Sequence, residues 1–212
     1  MKVAIFGLGY VGAVSGACFA ELGHEVVGVD VSRAKVDMIN RGDSPIVEEA
    51  ISDLTVAAVK TGLFRATLDG AEAARTSDVS LVSVGTPTAR DGTPDLSYVE
   101  GVVREIGEAL AGGALPHTVI IRSTVPPGAT MARLKPILEQ ACGEDVGARV
   151  HLVFNPEFLR EGKSVKDFRN PPFTIIGAQT ERGFDDARRL YAGVESEIIR
   201  TTTEVAESIK LL

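Results

Sequence analysis

What this sequence holds little of bounds its function first. Only two cysteines occur, Cys18 and Cys142, far apart in the chain. Two such residues offer no disulfide framework and suit a reducing cytoplasm better than a secreted scaffold. No stretch approaches the roughly 18 apolar residues that a membrane-spanning helix needs, so no membrane partner is expected. Positive charge is the minority: 22 Lys and Arg against 29 Asp and Glu leave a net charge of −7. A nucleic-acid partner therefore has no electrostatic footprint. The N-terminus opens on a core strand, which is not how a secretory signal begins. Internal repeats and low-complexity linkers are absent. What remains is 44% hydrophobic and 24% charged over 212 residues, ordinary for a globular protein. That length allows one large domain or one and a half.

The first thirty residues carry the clearest pattern. KVAIF reads as a strand, Gly7-Leu8-Gly9-Tyr10-Val11-Gly12 as a glycine turn, the small residues after it as a helix, and EVVGVD as a second strand ending at Asp30. In a dinucleotide site Gly7 permits the tight turn, Gly9 lets the backbone approach a pyrophosphate, and Gly12 lets the helix lie close to the strand. The pyrophosphate then sits on unpaired N–H groups at the positive end of the helix. Asp30 stands roughly 20 residues on, where a carboxylate binds the adenosine ribose. Alone, the glycines could serve packing only; strand, helix and acid together point to a dinucleotide. A carboxylate there repels a 2′-phosphate, which favours NAD over NADP, although Arg33 lies close enough to pair with such a phosphate.

The rest of the chain alternates. A helix over about Tyr10–Leu22 has a small inner face of Ala13, Gly16, Ala17 and Ala20, with Cys18 read as a buried small hydrophobe. Ser32 caps a helix running up to Gly42. Lys35 on its first turn is either a cation near the ribose or a solvated lysine, and spacing does not choose. Further helices read over about Glu49–Thr61 and Asp69–Arg75, then DVSLVSV is a buried strand delivering Gly85-Thr86-Pro87 at its end. Ligands of open α/β sheets bind beyond strand C-termini, so Thr86 is placed to touch the cofactor. Thr88–Pro94 reads as a polar, mobile loop. Asp95 caps a helix over about Leu96–Ala111. HTVIIRS is a strand followed by Thr124, another hydroxyl past a strand end, and one helix is expected from Gly128 to about Cys142. RVHLVF is a strand. The alternation predicts a Rossmann-like, doubly wound, mainly parallel α/β sheet with helices on both faces.

A second chemical stretch follows RVHLVF: Asn155-Pro156-Glu157-Phe158-Leu159-Arg160-Glu161. Two carboxylates past a strand end are expected to face the same cleft as Thr86 and Thr124. One in a partly closed cleft can act as a general base; as a capping or surface pair they would do no chemistry. Then FTIIG reads as a strand, ERGFDDARRLY as a helix and SEIIRT as a strand. Thr202 or Thr203 caps a last helix, EVAESIKLL, which stops mid-pattern and suggests a fragment.

GLGYVG, the VD ending at Asp30, SPIVE, VGTP, RSTVPPG, NPEFLREG and TEVAESIK stand in this order over essentially the whole chain. Together they resemble the UDP-glucose/GDP-mannose 6-dehydrogenase family. SPIVE and the arginine of RSTV are more similar to the GDP-mannose 6-dehydrogenase branch. The resemblance implies oxidation of a sugar C6 alcohol to the uronic acid in two NAD-dependent steps, with a cysteine capturing the intermediate aldehyde. It implies that Gly7, Gly9, Tyr10, Val11, Gly12, Asp30, Lys35, Thr86 and Thr124 contact NAD. Thr124 would also position a catalytic water. Glu157 and Glu161 would face the nucleotide sugar or assist hydrolysis, and Lys210 would stabilise an oxyanion at C6. No metal is implied. Residues 1–201 would be the NAD-binding domain and 202–212 the start of a central dimerisation helix, with a homodimer or higher oligomer for the full-length protein.

The departures are large. The family's cysteine lies in a downstream GGSC-type motif absent here, and neither Cys18 nor Cys142 matches it. The expected activity of this chain alone is therefore NAD binding without turnover. SPIVE is followed by Glu49-Ala50 where the family usually has Pro-Gly. Two alternatives remain: a stand-alone NAD-binding module, and a 3-hydroxyacid dehydrogenase, which lacks NPEFLREG.

Overall fold

The aliphatic runs become the strands of one sheet. In the computed structural model, which describes residues 1–89 and 92–211 (Glu49 by its backbone alone), strands and helices alternate from the first residues. The first half runs β1 Lys2–Phe6, α1 Tyr10–Glu21, β2 Glu25–Val29, α2 Arg33–Asn40, α3 Glu49–Lys60, β3 Phe64–Thr67, α4 Gly70–Arg75 and β4 Val79–Val82. The second runs α5 Ser97–Leu110, β5 His117–Ile121, a π-helical turn Thr130–Leu134, α6 Lys135–Cys142, β6 Val150–Phe154, α7 Ser164–Arg169, β7 Phe173–Ala178, α8 Glu181–Leu190, β8 Glu197–Thr201 and α9 Thr203–Leu211.

The strand order is β3-β2-β1-β4-β5-β6-β7-β8. Neighbours are parallel throughout except β6 and β7. The order turns back between β1 and β4, which opens a crevice at the C-terminal ends of those strands. β7 is antiparallel to β6, and the connection between them carries only the six-residue α7. β4, β5 and β6 are buried along their whole length, as central strands covered on both faces must be. One core packs Phe19, Ile51, Phe64, Phe168 and Leu190 on one face. The other packs Phe6, Val103, Ile106, Leu138 and Phe154 on the opposite face. Helices therefore cover both faces, as the alternation predicts.

Three details depart from the sequence reading. β3 has no counterpart there: it is a four-residue edge strand with Phe64 and Ala66 inward and Arg65 outward, too short to show a period. The single helix expected from Gly128 is split, beginning as a π turn before α6. Pro136 has no N–H to offer the carbonyl four residues back, and the wider turn falls just before it. The loop Thr88–Pro94 is closed at its base by pairing of Thr88 with Pro94, while residues 90–91 lie outside the described residues, as does Leu212. Asp95, one residue before the N-cap Leu96, accepts the Ser97 N–H at 2.9 Å at the start of α5, and Thr202 caps α9 by accepting the Val205 N–H at 3.3 Å.

Candidate functional site

The turn after β1 is built for close approach. Gly7 takes φ +97°, a left-handed conformation that side chains resist. Gly12 lies against that turn: a Cβ there would stand 1.8 Å from the Gly7 carbonyl oxygen and 2.7 Å from the Ser83 Oγ. The Ser83 hydroxyl donates to the Phe6 and Gly7 carbonyls, tying the turn to the end of β4. α1 begins at Tyr10 with no side-chain cap from Gly9 and no acidic residue in its first turn. Among the described residues no side chain caps its leading N–H groups, which leaves them able to hold an anion. A cleft of about 300 Å³ opens beside it, lined by Gly7, Gly9, Asp30, Lys35 and Gly85. Its far wall is Tyr98, Val102 and Glu105 of α5, spaced on one helix face. Burial, then Asp69 and Glu108, push the Glu105 carboxyl above its ordinary range. That wall was missed in the sequence; the signal was a second face on α5 beside the buried stripe of Val99, Val103 and Ile106.

Asp30 sits at the tip of β2, its side chain 8% exposed. Its Oδ2 accepts the Leu8 N–H at 2.8 Å and the Lys35 ammonium at 3.2 Å, and its Oδ1 accepts the Ser32 N–H at 2.9 Å. Burial pushes this carboxyl up, but the Ser32 and Leu8 N–H groups and the Lys35 ammonium outweigh it and hold it below its ordinary value. An ionised carboxylate has about four acceptor sites, so capacity for a ribose hydroxyl remains. Lys35 is thus tied to Asp30 rather than free in solvent. The cleft therefore fits a dinucleotide: free N–H groups where a pyrophosphate would lie, and an anionic acceptor at the ribose end.

The segment 155–163 is held differently. Glu157, 13% exposed at its side chain, takes the Leu159 N–H at 2.7 Å and the Lys210 ammonium at 2.7 Å; Lys210 also donates to the Glu157 carbonyl at 2.6 Å. Glu157 lines a second cavity of about 340 Å³, with Arg122, Phe158 and Tyr191. Glu161 is exposed. Among the described residues, the cavity beside the glycine turn is lined by neither carboxylate and neither threonine, and Glu157 lines the second cavity instead. Glu157 is turned aside by Lys210, and Thr86 and Thr124 stand half-buried on their own strand-end loops.

Three residues organise this region to which sequence reasoning gave no site role. Glu48 of SPIVE accepts from the Tyr10 hydroxyl at 3.2 Å and from the Ser164 N–H and hydroxyl at 3.1 and 2.8 Å. Arg122, 3% exposed, donates to Ser15 at 2.9 Å and to Asn155 and Tyr191, with the faces of Phe19 and Tyr191 beside it. Among the described residues no carboxylate pairs with it. Glu207, fully buried on α9, accepts the Thr130 N–H at 2.8 Å and that of Gly128, capping the π turn. Each is a charged residue inside a recognised motif, which was the available signal. The cysteines are inert: both are buried, and burial pushes the Cys18 thiol up to about 12.

Residues 1–195 match the model of the UDP-glucose/GDP-mannose dehydrogenase family, NAD binding domain. The chain is 46% identical over 210 residues to the GDP-mannose 6-dehydrogenase of Pseudomonas syringae pv. syringae, covering 99% of this chain and 48% of that protein. It is 37% identical over 215 residues to the UDP-glucose 6-dehydrogenase of Haloferax volcanii, covering 99% and 50%. The crystal structure of a ternary complex of GDP-mannose dehydrogenase from Pseudomonas aeruginosa superposes with a TM-score of 0.97 at 45% identity, covering all of this chain and 48% of that one. The chain spans about half the length of the relatives it matches. A glycine turn and acid arranged for a dinucleotide, within a match running from residue 1 to 195, establish that the chain belongs to the UDP-glucose/GDP-mannose dehydrogenase family and carries its NAD-binding domain.

Proposed function

We propose that this chain is the cofactor-holding half of a cytoplasmic nucleotide-sugar 6-dehydrogenase acting in polysaccharide biosynthesis. The substrate is GDP-mannose, oxidised at C6 to GDP-mannuronate, with UDP-glucose to UDP-glucuronate as the second choice. The observation that carries the proposal is spatial: the NPEFLREG segment and Lys210 gather past the C-terminal end of β6, at the same sheet edge as the glycine turn. The names of the relatives support the sugar.

NAD, when bound, supplies the hydride acceptor. The residues of this chain hold and orient. The turn from Gly7 to Gly12, with the N–H groups of Tyr10 and Val11, carries the pyrophosphate. Asp30 and Lys35 hold the ribose, and Thr86 and Thr124 bound the cofactor from the neighbouring strand ends. Thr124 positions water. Glu161, exposed and with no ion-pair partner among the described residues, faces the sugar nucleotide, and Glu157 holds Lys210. The Lys210 ammonium, 18% exposed at its side chain, is directed at negative charge developing on the C6 oxygen. Such a donor in a dry site contributes about 3 kcal/mol. Residues 1–201 act as the domain, and 202–212 begin the helix through which the full-length protein forms a homodimer.

The test is a pair of measurements. Titration calorimetry should detect NAD binding to the 212-residue chain, with no turnover. The full-length gene product should release two NADH per GDP-mannose. A full-length enzyme that yields no NADH with any GDP- or UDP-sugar sinks the proposal.

A further inference from the structure

Three separate parts of the sequence meet at one hydroxyl. The Tyr10 hydroxyl, on the first residue of α1, shares its one proton between the Arg160 carbonyl at 3.0 Å and the Glu48 carboxylate at 3.2 Å. Glu48 in turn holds the Ser164 N–H and hydroxyl at the start of α7. Glu48 is itself the N-cap residue of α3, yet its side chain makes no bond to that helix. Its carboxylate is spent on α7 and Tyr10. The segment so held carries Glu157 and Glu161 and has no regular secondary structure from 155 to 163.

We propose that Glu48 is a positioning residue that locks the 157–163 segment to the cofactor turn, so that binding of the dinucleotide orders the segment facing the substrate. The inference rests on the NAD-binding reading of the glycine turn. A pyrophosphate on the leading N–H groups of α1 fixes the backbone of Tyr10. The Tyr10 ring carries that constraint to the Arg160 carbonyl, and Glu48 carries it to Ser164. Coupling of this kind is reciprocal and commonly amounts to about 5- to 150-fold. Glu48 touches neither cofactor nor substrate: it acts through Tyr10 and Ser164.

Amide hydrogen exchange on the 212-residue chain, with and without saturating NAD, tests this. The expected result is that exchange at residues 159–164 slows by about tenfold on adding NAD, through stabilisation of the closed segment. Glu48→Ala should still bind NAD by calorimetry but lose that slowing. Glu48→Gln should retain it, because the amide keeps an acceptor for Ser164 and a polar group for the Tyr10 hydroxyl. A merely structural Glu48 would alter the melting temperature in Glu48→Ala and leave the NAD-dependent slowing intact, which overturns the proposal. So does a wild-type chain that binds NAD with no change at 159–164, an outcome that leaves the cofactor reading standing. A wild-type chain that binds no NAD removes both. If Glu48→Ala does not fold, Ser164→Ala decides: a reduced slowing supports the lock and an unchanged one overturns it.

Discussion

The glycine turn and the 155–163 segment both lie past strand ends at one edge of the sheet, and they are held in opposite ways. The turn is shaped by its own neighbours: Gly7, Gly12 and the start of α1 lie within six residues, and Asp30 closes the unit from the next strand. The segment is held from far away. Glu157 meets Lys210, the Arg160 carbonyl meets Tyr10, Ser164 meets Glu48, and Asn155 meets Arg122. The difference teaches where function is locally encoded. A site made of backbone N–H groups on one turn needs only the right glycines. A site made of side chains on an irregular segment needs partners supplied by the whole fold.

The largest expected effect tests the local half. Gly12→Ala puts a methyl 1.8 Å from the Gly7 carbonyl oxygen. It should cost more than about 3 kcal/mol of stability, read by urea denaturation, because backbone cannot yield as a side chain does. If the variant melts like wild type, the turn is looser than described. The next tests the distant half. Arg122→Ala should cost about 3 kcal/mol, since it opens a cavity between Phe19 and Tyr191 and strips donors from Ser15 and Asn155.

Asp30→Asn should act on affinity. Removing a charged acceptor at the ribose weakens NAD by about 2 kcal/mol, or roughly 30-fold, measured by calorimetry. An unchanged affinity would place the ribose elsewhere. The smallest effect is a pH dependence. The Arg160 side chain holds the Asp167 carboxyl down at about 2. The folded value lies below the unfolded one near ~4, so the stabilisation is present above that pH and is lost as pH falls through the folded value. Asp167→Asn should flatten this acid limb by less than about 1 kcal/mol, because solvent screens the exposed Arg160.

Much of the fold was legible. Continuous apolar runs announced β4, β5 and β6 because central parallel strands are buried on both faces. Ser32 and Asp95 announced helix starts through short-range capping. β3 was not legible because four residues at a sheet edge carry no period, and the π turn was not because Pro136 constrains the turn before it only within a helix already formed. In the site, Asp30 was legible from its offset. Glu48 was not: an acid at the start of a helix reads as a local cap, and only folding brings Ser164 and Tyr10 to it.

By itself, the sequence determined the glycine turn, the acid at the tip of β2 and the alternation that makes a doubly wound sheet. These follow from glycine stereochemistry, helix-end N–H groups and apolar periodicity, all of which act over a few residues. Only the tertiary structure decided that β7 runs antiparallel, that Lys210 is engaged by Glu157, and that Arg122 and Glu48 support the segment between. Those outcomes depend on buried and half-buried groups finding partners up to 150 residues away along the chain. The burial cost of an unpaired polar group is what selects such partners, and it is levied only once the core has closed.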